Sequence, residues 1–257
     1  ANVDSYSAAT GRVSSSANSS ATCPTYAVMY SPTENFAAYM SHAENFNAGT
    51  VVGTGYANTG EILPPAKTKQ NEIGFKYNNK GLLATLSFFD IEQANNIEVM
   101  RGALRYSLQD GRLRHKGVEL GVSGPIGKKW NFSTGISYLD AKYDKTAGGR
   151  YDGIIESGRP KWAGSLMLRY DADESFGAFG RVVYTGSAPV LYEKFWAPSY
   201  AVVDLGVEYK TKINNLPAKF SLTCYNVFDK SYWMIARGDN LYLSTPRTLA
   251  LTMSVDF

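Results

Sequence analysis

Histidine and cysteine are scarce in these 257 residues, two of each. Neither Cys23 nor Cys224 has a His or Cys within a few residues, so the spacings of metal sites are absent. His42 and His115 belong to no nucleophile motif, and the Gly-x-Ser-x-Gly elbow of serine hydrolases is missing, so no catalytic and no metal-binding residue is assigned. No apolar run approaches the roughly 18 to 20 residues of a helical membrane span. Charge is thin at 19%, the net charge is +3, and the longest basic run is the pair Lys128 and Lys129, which excludes nucleic acid as the expected partner. Residues 1–22 are Ser/Ala/Asn-rich and lack the basic start and apolar run of a signal peptide. They read as a flexible loop, residues 1–23 as a partial upstream segment, and the chain as a mature fragment that begins mid-pattern. The cysteines read as two unpaired thiols; a disulfide would require an oxidising compartment and two distant spans to meet.

What the chain has in quantity is glycine (24), tyrosine (18) and alternation. From Leu249 the sequence runs Leu, Ala, Leu, Thr, Met, Ser, Val, Asp, Phe, with apolar residues at every odd position. That period of two gives a strand one apolar and one polar face. The same alternation recurs at Tyr26, Val28 and Tyr30; at Ile73, Phe75 and Tyr77; at Leu82 to Phe88; at Val118 to Val122; and at Ala201 to Tyr209. Ser31 to Glu34, with its proline, reads as a tight turn. About eleven strands result, joined by turns of roughly four to six residues at one end and loops of roughly twelve to twenty at the other, an asymmetry of transmembrane barrels. The expected fold is all-β, an antiparallel up-and-down transmembrane β-barrel; a secreted β-sandwich or solenoid is the soluble alternative. An odd number of antiparallel strands cannot close on itself, so part of the wall is expected upstream.

Particular stretches carry a family likeness: NVFDK at Asn226 to Lys230, followed by Ser231, Tyr232 and Trp233, and TPRTLALTMSVDF at the C-terminus. KTKQNEIGFKY, LLATLSFFDIEQANN, HKGVELGVSG and FSTGISYLDAKY precede them in order. The series resembles TonB-dependent outer-membrane receptors, the ferric-siderophore branch most, over nearly the whole chain from Pro24. The resemblance implies a barrel of about 22 strands plugged by an N-terminal domain, of which residues 24–257 would be the C-terminal half and the plug would be absent. It implies import of a ferric siderophore energised by the TonB-ExbB-ExbD complex through that plug, in the outer membrane of a Gram-negative bacterium, with iron carried only as cargo and no resident cofactor. A passive channel or porin, or a receptor of this family for cobalamin, haem or a glycan, is the alternative. Leu249, Leu251, Met253, Val255 and Phe257 resemble the signal read by the outer-membrane assembly machinery and would also face lipid or lipopolysaccharide.

A bulky iron chelate is held by rigid aromatic faces and by charge-assisted hydrogen bonds from arginine. The loop candidates are Phe46 and Tyr56; Arg101 and Arg105; Tyr151; Tyr192, Phe195 and Trp196; and Tyr232, Trp233 and Arg237. Asn226 and Asp229 read as backbone-turning residues. Arg247 reads as an anchor at headgroups or a partner for a neighbour, and His42, with Glu44 two residues on, as a solvated loop residue or a proton-sensitive contact.

Overall fold

The computed structural model describes residues 2–6, 10–18, 20–47, 49–236 and 239–256; Arg237 and Phe257 lie outside them. In chain order the strands are β1 (Asn2–Tyr6), β2 (Val13–Asn18), β3 (Thr25–Thr33), β4 (Phe36–Asn47), β5 (Ala66–Asn79), β6 (Leu82–Arg101), β7 (Leu104–Ile126) and β8 (Trp130–Lys145). They continue as β9 (Trp162–Asp171), β10 (Phe176–Thr185), β11 (Ala188–Val190), β12 (Phe195–Ala197), β13 (Tyr200–Ile213), β14 (Leu216–Tyr225), β15 (Trp233–Ala236), β16 (Asn240–Leu243) and β17 (Thr248–Val255). One antiparallel sheet of 11 strands runs β3-β4-β5-β6-β7-β8-β9-β10-β13-β14-β17. Three short hairpins, β1–β2, β11–β12 and β15–β16, stand apart from it. No described helix is long and apolar enough to cross a membrane.

Strand register turns the alternating sequence into two chemically distinct faces. Val28, Met40, Ile73, Phe88, Val118, Tyr138 and Trp162 are successive cross-strand partners, and Val207, Leu222 and Leu251 form another such row. No second layer covers these side chains: Leu249 and Leu251 are 71% and 73% exposed. Hydrocarbon is the medium this belt suits, because leaving such residues in water forfeits about 1.5–3 kcal/mol each. Aromatic pairs bound it, Trp130 against Tyr170 near the short turns and Tyr138 against Trp162 near the long loops. Trp130 and Tyr138 are separated by roughly 26 Å along the strand at 3.3 Å per residue, close to the apolar band of about 25 Å that barrels present to lipid.

The opposite face is polar and ion-paired. Arg169 donates to Glu208 at 2.6 Å and to Asp171 at 2.8 Å, and Lys219 lies 3.6 Å from Glu208. The Tyr39 hydroxyl donates to Glu72. Paired carboxylates and cations suit a wet interior, since a lone charge in a dry one is costly.

The turns are tighter than the sequence spacing suggested, residues 34–35, 80–81, 127–129, 172–175 and 214–215. At two of them both central residues are left-handed, Lys80 (φ 48) with Gly81 (φ 85) and Asn214 (φ 49) with Asn215 (φ 65). That geometry matches the twist of the flanking strands. Three expectations are corrected. Residues 31–33 continue β3, and Pro32 sits in a register irregularity at the strand end where its missing N–H is tolerated. Within 1–22, β1 and β2 pair into a hairpin that reverses near Gly11, whose φ of 63 a loop reading overlooks. Between the fourth and fifth strands of the wall, β6 and β7, the expected long loop is a continuous ribbon of 20 and 23 residues turning at 102–103. It rises well above the belt.

Candidate functional site

At the long-loop end, backbone pairing continues past the belt and builds a rim. Above β9 the segment 153–161 takes over as the partner of β8: Tyr143 N–H donates to Ile154 O at 3.0 Å, Glu156 N–H to Ala141 O at 2.9 Å and Leu139 N–H to Lys161 O at 2.9 Å. Gly158 N–H then donates to Pro189 O of β11 at 2.8 Å, and β12 lies against β15. Tyr143 belongs by alternation to the polar face, as do Ser137 and Ala141, so the rim surrounds the wet side of the wall.

Three tyrosines from three segments meet there. Tyr151 and Tyr192 stack with centroids 3.9 Å apart and planes 7° from parallel, and Tyr143 packs on Tyr192 at 5.3 Å. Tyr151 is held by Thr146, whose hydroxyl accepts from the Tyr151 N–H at 3.0 Å and itself donates to Asp152 at 2.7 Å. The Arg150 guanidinium lies over the Tyr151 ring at 5.2 Å. Beside them is a cavity of about 470 Å³ lined by Tyr143, Glu156, Ser157, Arg159, Ile235 and Asp239. Glu156 is its electrostatic centre, 2.7 Å from His115 Nε2 and 3.3 Å from Arg159 Nε. Burial pushes the Glu156 carboxyl up, but the hydrogen bond from His115 and the charge of Arg159 outweigh it and hold the group below the ordinary carboxylate value. Burial raises the Tyr192 hydroxyl, helped by Tyr151, Asp239 and Glu98, so it stays protonated.

The turn that presents Tyr192 is unusual. Leu191, Tyr192 and Glu193 are all left-handed, with φ of 52, 55 and 63, and that conformation costs about 1–2 kcal/mol for each residue with a Cβ.

A second cavity of about 410 Å³ lies on the polar face toward the last strand. Tyr200 and Tyr232 stack there at 4.0 Å. Arg181 donates from Nε and Nη2 to one Asp204 oxygen at 3.0 and 2.7 Å, and the other oxygen accepts the Asn226 N–H at 2.8 Å. Asn226 and Asp229 turn the chain as expected. Asn226 Nδ2 donates to Lys230 O and Thr245 O, its Oδ1 accepts from Lys230 N–H, and Asp229 accepts from the Arg247 N–H. The Arg247 guanidinium donates to Val227 O at 3.3 Å, so its partner is a neighbouring backbone.

Among the sequence candidates, Tyr151 and Tyr192 join in the first site and Tyr232 enters the second. Tyr56 and Arg105 also meet, but they fasten loop 49–65 to the β6–β7 ribbon: Arg105 lies over the Tyr56 ring at 5.0 Å, and the Tyr56 hydroxyl donates to Glu98, a bond that raises its pKa. Arg101 stacks over Tyr106 at 5.1 Å on the same ribbon. Phe46 is in β4, two positions beyond Glu44 on the belt's face, and so is separated from the polar cavities. His42 shares that face, stacked on Tyr26 at 4.9 Å and 3.8 Å from Glu44. Phe195 and Trp196 stay 61% and 49% exposed on β12, and Trp233 is exposed on β15; Arg237 lies outside the described residues. Tyr143, His115, Glu156, Arg159, Arg181, Tyr200 and Asp204 were not anticipated. Their only sequence signal is their place in strand alternation or beside a glycine in a loop.

Residues 1–227 match the family described as TonB dependent receptor-like, beta-barrel. The ferrichrome receptor FcuA of Yersinia enterocolitica is 29% identical over 248 residues, covering 91% of this chain and 32% of that protein. The ferrichrome outer membrane transporter/phage receptor of Escherichia coli is 29% identical over 206 residues, 76% of this chain and 26% of that protein. The chain thus spans about a third or less of these two relatives. The solved structure of BauA, the ferric preacinetobactin receptor of Acinetobacter baumannii, superposes with a TM-score of 0.83 at 29% identity over 95% of this chain and 37% of that one. The ferric citrate transporter FecA shares the fold, with a TM-score of 0.78 at 19% identity over 98% of this chain and 40% of that one.

Proposed function

Because the chain belongs to the TonB-dependent receptor-like β-barrel family, we propose that it forms the C-terminal wall and outer rim of an outer-membrane receptor that imports a ferric siderophore. The observation that carries this reading is the convergence of Tyr143, Tyr151 and Tyr192 on the polar side of the rim, beside Glu156 and Arg159. The ring faces supply flat contact area for a chelate's arms, and the Arg150 and Arg159 guanidiniums supply donors for its oxygens. Function here is recognition followed by release, with no bond made or broken. Iron is the cargo. Release would come through a plug domain coupled to the TonB-ExbB-ExbD complex, within the outer membrane of a Gram-negative bacterium. The ferrichrome and ferric preacinetobactin receptors among its relatives support the siderophore class over cobalamin, haem or a glycan.

The test is tryptophan fluorescence of the intact receptor titrated with ferric and iron-free siderophores, cobalamin and haem. Saturable quenching by a ferric siderophore, stronger than by its iron-free form, is expected. Binding of cobalamin or haem alone would overturn the siderophore class, and passive conductance without any saturable binding would favour a porin.

A further inference from the structure

The left-handed turn at 191–193 is held in place from outside its own hairpin. Leu191 N–H donates to Asp239 Oδ1 at 3.3 Å, Tyr192 N–H donates to Ser157 Oγ at 3.1 Å, and Glu193 Oε1 accepts the Ile155 N–H at 3.4 Å. The Tyr192 ring adds its stack on Tyr151 and its contact with Tyr143. Within the turn itself the bond from Lys194 N–H to Leu191 O, at 3.3 Å, is the local closure. A side-chain-bearing turn left to itself would relax from this backbone conformation. Its persistence therefore depends on segment 146–161 on one side and the tip of the β15–β16 hairpin on the other.

We propose that residues 191–193 are a strained clasp that couples three rim segments, 146–161, 186–199 and 239–243, so that they open and close as one unit. Coupling of this kind is reciprocal. The contacts that hold the turn left-handed also hold Ser157, Tyr151 and Asp239 in place, and once one contact breaks the stored strain disfavours the others. A ligand surface that competes for the Tyr192 ring would thereby release all three segments, which connects the clasp to the siderophore reading. The coupling itself stands without that reading.

Hydrogen exchange on the intact, ligand-free receptor tests the clasp independently of any ligand. Tyr192→Ala is expected to speed exchange roughly tenfold in all three segments, and Asp239→Ala to speed it in 146–161 as well as in 186–199. Leu191→Asn, which tolerates a left-handed backbone, relieves strain and is expected to slow exchange in the same three segments while leaving the β3–β5 wall unchanged. It also keeps the test open if Tyr192→Ala fails to assemble. Acceleration confined to 186–199 in the first two variants, or no slowing in the third, would overturn the coupling.

Discussion

Asn226 shows how much a single side chain arranges in this wall. With a φ of 51 it tolerates a backbone most residues avoid, and its amide ties Lys230, Thr245 and the entry to the last strand together. Asn226→Ala leaves those partners unsatisfied and is expected to cost about 2 kcal/mol or more, read as a lower unfolding midpoint of the receptor in detergent. Tyr151 contributes a stacked face instead of hydrogen bonds. Tyr151→Ala is expected to weaken ferric-siderophore binding roughly five- to tenfold, because an aromatic pair is worth about 0.5–1.5 kcal/mol, whereas Tyr151→Phe should bind nearly as well; titration by fluorescence quenching checks both. At this scale the sequence was legible where chemistry is local. Asn226 and Asp229 announce turns through their own side chains. Phe46 and Arg105 read as loop residues but lie in strands, because β4 and the β6–β7 ribbon run farther than alternation alone reveals. Tyr143 was missed because alternation puts it on the polar face without showing that two loops close a cavity over it.

Among the elements, β17 and the segment 153–161 differ most in what holds them. The odd residues of β17 project from the belt without cover, so Leu251→Arg places a charge in hydrocarbon. A cost of about 2–4 kcal/mol is expected, measured by denaturant unfolding in lipid vesicles, and Thr252→Arg on the wet face should cost far less. Segment 153–161 is held by backbone pairing to β8 and by Glu156. Because the folded Glu156 carboxyl sits below its ordinary value of 4.5, its contribution is present above that pH and is lost as pH falls through the lower folded value. Cleavage within 146–161 by an acid-active protease is therefore expected to rise as the buffer drops below 4.5, and Glu156→Gln should flatten that dependence. The pairing of this segment was not legible beforehand, since a run broken by Gly153, Gly158 and Pro160 carries no alternation. The strands of the wall were, because each repeats an apolar stripe between turn residues.

At the scale of the whole chain, the described residues form a wall whose two margins, β3 and β17, are unpaired, with three short hairpins apart from it. A preparation of these residues alone is expected to give no discrete ion-conducting pore in planar bilayers, whereas the intact receptor gives a folded barrel whose migration on gels changes on heating. The odd number of wall strands was readable from alternation; how the rim is laced together was not, because contacts between distant loops leave no trace in spacing. Both margins travel in the same direction, from the tall rim toward the tight reversals. Whatever closes the gap must contribute an odd number of crossings, the first and last of them climbing. Its opening crossing consequently starts in the compartment where β17 finishes, so a folded unit tethered ahead of that crossing could enter the lumen from beneath without threading past the rim.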